Sequence, residues 1–81
     1  MDDMERRLIR CFAVVFPELD DTAIQQATMQ SVAAWDSVAT ATLINVVEEE
    51  FQIEIDFDDV EEFVSFPQFL NYLRNRVVAH G

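Results

Sequence analysis

The sequence predicts a small all-α bundle of four helices, three main ones and a short third, and three observations carry that prediction. Apolar residues recur at intervals of three and four in three separate segments. The one stretch that alternates like a strand, Ile53-Glu54-Ile55-Asp56, is a few residues long and has no second strand to pair with, so it is expected as an extended connector. A composition with 51% hydrophobic residues, one Gly and two Pro leaves no collagenous, linker-like or disordered tract, and 81 residues suffice for a single domain only.

The elements follow in order. Met4, Leu8, Cys11, Phe12 and Val15 make one apolar helical face, with Glu5, Arg6 and Arg10 mainly off it, and Pro17 ends the helix. Residues 17–36 form a long connection, the kind that tends to carry function, in which Asp20-Asp21-Thr22 suits a cap before a brief turn at Ala23 to Ala27. The second strong helix runs from Ser37 to Phe51 on Leu43, Ile44, Val47 and Phe51, with Asp36 as its N-cap. Asp58 to Phe63 can form a short third helix that buries Val60 and Phe63. Ser65 caps the last helix, whose Phe66, Phe69, Leu70, Leu73 and Val77 again repeat at three and four, with Pro67 tolerated in its first turn.

Charge excludes whole classes of partner. The formal charge is −11, from five basic and sixteen acidic residues, which argues against nucleic acid and anionic membrane and in favour of basic partners. All five bases are arginines at the two ends, while residues 11–73 carry thirteen acids and no base. No segment approaches the roughly 20 apolar residues that span a bilayer. Residues 1–7 lack a basic start followed by an apolar run, so no secretory signal is expected, and the lone Cys11 suits a reducing cytoplasm.

Enzyme templates fail in turn. The single histidine, His80, reads as a solvated residue remote from any nucleophile, and Gly-x-Ser-x-Gly is absent. One Cys and one His cannot make a zinc site. The acidic run from Asp56 places Glu61 where a calcium loop needs Gly and Pro67 where it needs Glu. No Gly-rich turn and no Lys are present for a phosphate-binding loop. A non-enzyme is expected.

What remains is Trp35-Asp36-Ser37-Val38, where the long loop meets a helix N-terminus. A serine in the first turn is exposed, and a phosphate ester on it would lie near unpaired N–H groups and the positive end of the helix dipole. The plain alternative is that Asp36 and Ser37 are only a cap. Together with Leu43-Ile44-Asn45-Val46-Val47-Glu48-Glu49-Glu50-Phe51-Gln52-Ile53-Glu54-Ile55, this motif resembles the acyl carrier protein family, in which Asp-Ser-Leu opens the second helix and a Leu-Glu-Glu-Glu-Phe-x-Ile-x-Ile-like segment closes it. The resemblance continues without a gap through Asp58 to Phe63, Ser65-Phe66 and Tyr72, so residues 1–81 resemble one carrier domain with an acyl-carrier-like fold.

The resemblance implies that Ser37 takes 4′-phosphopantetheine from coenzyme A, transferred by a phosphopantetheinyl transferase with Mg2+ needed only during transfer, and that Asp36 assists recognition. The terminal thiol of the arm would carry acyl or related cargo as a thioester, so Cys11 is expected to be core packing. Val38, Ala41, Asn45, Glu48 and Glu49 on the second helix, with Asp58 and Glu61 on the third, match partner-facing positions. The implied partners are a loading ligase for acyl or aminoacyl groups and a downstream transferase or synthase with basic docking patches, met by a monomer. Carboxylates facing such patches mainly raise association rate and select partners. Val47, Phe51, Ile55 and Phe63 match positions that surround the cargo; the seven Phe suggest little room between helices, hence a small or external cargo.

Departures from the family pattern shape the expectation further. Ala33-Ala34-Trp35 precedes the motif where housekeeping members commonly have Gly, Ala39 and Thr42 stand where acids are expected, and Asn45 replaces a larger apolar residue. These changes point toward a stand-alone carrier of a specialised lipid or polyketide pathway, with Trp35 either anchoring the loop or touching the arm. The alternatives are an aminoacyl or aryl carrier of a nonribosomal pathway and an unmodified acidic interaction module.

Overall fold

Helix α1 spans Asp3–Val15 and buries Leu8, Ile9, Cys11 and Phe12, with Met4 and Val15 partly covered. Ile9 is absent from the three-and-four pattern yet is buried, because α1 packs on α2, α3 and α4 together and needs a stripe wider than one seam. The structure is a computed structural model that describes residues 3–77, apart from the side chains of Phe57 and Val77. His80 and the expected inward position of Val77 lie outside what it describes.

The chain leaves α1 at Pro17, whose ring disfavours helical geometry at Phe16, and that side chain turns into the core at 1% exposure. The turn expected at Ala23 to Ala27 is a short helix two residues earlier, α2 at Asp21–Gln25, because the Asp20 carboxylate accepts the Ala23 N–H at 2.8 Å and starts it there. The rest of the long connection is stitched down. Met29 N–H donates to the Val64 carbonyl at 2.9 Å and Phe66 N–H to the Ala27 carbonyl at 3.0 Å, forming an antiparallel bridge between Thr28 and Ser65.

Helix α3 spans Ser37–Phe51, the range the sequence predicts, and buries Thr40, Leu43, Val47 and Phe51 at helical spacing. Asp36 caps it by accepting the Ala39 N–H at 2.9 Å. Gln52 ends it in the left-handed region at φ 55°, a position usually given to Gly, and steadies itself by donating from its side chain to the Glu49 carbonyl at 2.8 Å.

Residues 53–56 run extended, as expected. The short third helix is 3-10 over Phe57–Glu62 rather than α over Asp58 to Phe63, with Asp56 as its cap. Phe63 is fully buried just past its end, whereas Val60 is only half-buried, because the space beside it is a cavity rather than packed side chains. Helix α4 covers Phe66–Val77, capped by Ser65, whose hydroxyl oxygen accepts the Gln68 N–H at 3.3 Å.

The core is one cluster dominated by rings. Phe12 sits edge-on to Trp35, Phe66 and Phe69 with centroids 5.4, 5.2 and 5.4 Å away, and Phe63 lies 4.5 Å from Phe69. Each such pair adds about 0.5–1.5 kcal/mol beyond area burial. Trp35 is 2% exposed, and its Nε1–H donates to Thr40 Oγ1 at 2.8 Å, so of its two expected roles the structure shows the anchoring one.

Candidate functional site

Ser37 is the first residue of α3 and is exposed. Three neighbours fix its backbone. Trp35 is wedged into the ring cluster, Asp36 caps the helix, and Thr40 donates its hydroxyl to the Asp36 carbonyl at 3.1 Å. The loop therefore delivers Ser37 at a set place, with first-turn N–H groups beside it.

Ser37 also lines a cavity of about 650 Å³. One wall is α3, through Thr40, Ala41, Ile44, Asn45 and Glu48. The facing wall comes from Ile55 of the connector, Val60 and Glu61 of the 3-10 helix, and Met29 and Val64, which the Thr28–Ser65 bridge sets side by side. Polar groups on the deeper wall are already engaged: Thr40 Oγ1 with Trp35 and Asp36, Glu48 Oε2 with the Ile55 N–H at 2.8 Å. What a guest would meet is mainly the methyl groups of Ile44, Ile55, Val60 and Val64. A volume of this size falls in the range of small-molecule pockets.

The crowding expected from seven Phe does not occur here: Phe12, Phe66 and Phe69 pack against one another under α1 and α4, and no described Phe side chain lines the cavity. Of the four residues matched to cargo-lining positions, Ile55 lines it. Val47, Phe51 and Phe63 are buried in the closed core, at 0%, 8% and 0% exposure. Met29, Thr40, Ile44, Val60 and Val64 take their place in the wall. Ile44 and Val60 were legible as apolar positions; Met29 and Val64 meet only through a bridge between distant segments.

The residues matched to partner contacts divide in two. Ala41, Asn45 and Glu61 are exposed and come together at the cavity, while Val38, Glu49 and Asp58 are exposed away from its lining, Val38 at 75%. Glu48 differs from the expectation of a free surface carboxylate, since it is half-buried and its side chain closes on the connector. On the far side of Glu48 a broad open hollow is lined by Asn45, Glu48, Glu49, Gln52, Ile53, Glu54 and Ile55. Among the described residues no group of three or more Asp, Glu, His or Cys is placed to hold a metal ion.

Cys11 stands apart from this site. Burial, helped by the Glu50 carboxylate and opposed by Arg7, pushes its thiol up to about 11, so it stays a neutral packing group at ordinary pH. Among the described residues no helix is long and apolar enough to cross a membrane. No family model matches the sequence.

Proposed function

We propose that the chain is a carrier whose Ser37 bears a 4′-phosphopantetheine arm and presents acyl or related thioesters to partner enzymes. The observation that carries this reading is the coincidence of an exposed hydroxyl at the start of a fifteen-residue helix with the wall of an apolar cavity. An arm on that oxygen starts beside space for an apolar cargo, and its phosphate sits at the positive end of the helix. In the attachment step the Ser37 oxygen bonds to the phosphorus that carries pantetheine in coenzyme A, the pyrophosphate bond breaks, adenosine bisphosphate leaves and the hydroxyl proton is lost to solvent. A phosphopantetheinyl transferase with Mg2+ catalyses this, recognising Asp36 beside the serine. When bound, the arm supplies a thiol for the cargo, which the chain itself supplies nowhere accessible.

Exposed Val38, Ala41, Asn45, Glu49, Asp58 and Glu61 would face the basic patches of a loading ligase and a downstream transferase or synthase. Glu48 is assigned a smaller share of that face, because its carboxylate is occupied. The departures at Ala39, Thr42 and Asn45 favour a specialised cytoplasmic pathway over housekeeping fatty acid synthesis.

Incubation of the apo protein with coenzyme A and a broad-specificity transferase is expected to add the mass of one phosphopantetheine, and Ser37→Ala to abolish the gain. No gain in the native chain would leave an unmodified acidic interaction module as the reading, and a gain that survives Ser37→Ala would overturn Ser37 as the attachment site.

A further inference from the structure

One hydrogen bond stands between the two hollows beside α3. The cavity at Ser37 and the open hollow beyond it share three lining residues, Asn45, Glu48 and Ile55. Two of them are joined, Glu48 Oε2 accepting the Ile55 backbone N–H at 2.8 Å across a partly buried gap. Glu48 holds the connector through its main chain as well, its carbonyl accepting from Gln52 N–H and, at 3.3 Å, from Ile53 N–H. The other side of the connector is tied by Arg76, which donates to the Glu54 carbonyl at 2.8 Å. Ile55, 8% exposed, is thereby pressed against α3 as a partition.

From this geometry we infer that Glu48 is a specificity-determining residue: its carboxylate, by fixing Ile55 against α3, forms the end wall of the cavity and limits the length of apolar chain that fits there. The inference deepens the carrier reading and rests on it only in calling the guest a cargo. A chain entering at Ser37 can lie along Ile44 and Val60 until it reaches the Glu48–Ile55 contact. To go further it must break a charge-assisted bond before it reaches the hollow beyond, which Ile53 lines beside Glu49 and Glu54. Glu49, one residue along, is exposed and lies outside the cavity, so it serves as the control.

The test uses the unmodified full chain with straight-chain primary alcohols of increasing length as probes, their affinity read by NMR titration. Native affinity is expected to rise about fourfold per added methylene until the cavity is filled, then to level off. In Glu48→Ala the rise is expected to continue past that length, whereas Glu48→Gln, which keeps an acceptor oxygen, and Glu49→Ala hold the native limit. The same limit in Glu48→Ala as in the native chain, a Glu48→Gln that behaves like Glu48→Ala, or a native chain that binds no alcohol overturns the inference. Hydrogen exchange at Ile55 needs no variant: its amide is expected to exchange at least about tenfold slower than in a free peptide, and exchange at the free rate overturns the partition. None of these readings involves Ser37 modification, so failure here leaves the mass measurement standing, and a missing mass gain leaves the length limit standing.

Discussion

Cys11 is 3% exposed, and its buried thiol is one of two groups, with Tyr72, whose upward shift ties stability to alkaline pH. Burial is the main cause of its rise from an ordinary 9.0 to about 11, Glu50 adds to it, and Arg7 works against it. The unfolded thiol ionises more readily than the folded one, so its contribution to stability is complete below pH 9 and is lost as pH climbs from 9 to 11. Denaturant midpoints of the native chain should fall more steeply across that window than those of Cys11→Ala, whatever the offset from the lost packing; parallel slopes would refute the assignment. The inward face of Cys11 was legible from its place in the Leu8, Cys11, Phe12 stripe, as was Ser37 at a helix start from the neighbouring Asp36. The role of Glu48 was not, since its partner is a backbone N–H on a short segment whose alternation says nothing of what it pairs with.

At the scale of elements, α3 shows a cap and a candidate recognition group residing in one side chain. Asp36 accepts the Ala39 N–H, and Asn caps about as well as Asp, so the two roles separate by substitution. Asp36→Ala should cost about 1 kcal/mol of stability while Asp36→Asn costs only a few tenths. If the transferase recognises the charge, Asp36→Asn should then slow arm attachment despite a normal melting temperature; an unchanged attachment rate would reduce Asp36 to a cap. The boundaries of α3 could be read because cap, apolar spacing and length agree. The third helix could be placed but not typed: six residues are too few for periodicity to separate α from 3-10, and the Val60–Phe63 spacing of three suits the tighter helix. The Thr28–Ser65 bridge had no local signature at all. It depends on Ala27 and Phe66 both being buried against the same core, which tertiary packing alone decides.

For the whole molecule the decisive quantity is −11 on a body 35 × 29 × 18 Å across. The arginines offset it unevenly. Arg7 closes on Glu50 at 2.8 Å and lies over the Phe51 ring, and Arg76 binds Tyr72 and the Glu54 carbonyl, so these two cations gather near the C-terminal end of α3. Asp36 and Glu61, toward the Ser37 side, are left exposed. Added salt acts on both populations. It weakens the Arg7–Glu50 pair, whose side chains are 36% and 39% exposed and which at such exposure contributes under about 1 kcal/mol. It also screens repulsion among sixteen acids that five bases cannot balance, and at 0.1 M the screening length of about 10 Å is shorter than every dimension of the molecule. Repulsion outweighs the attraction, because it sums over many pairs while the ion pair acts locally. The melting temperature should therefore rise from low salt to 0.1 M sodium chloride, and equally in choline chloride if screening rather than cation binding is the cause. A flat or falling midpoint would mean that the acids are spaced so widely, or paired so well, that the net charge carries no cost to stability.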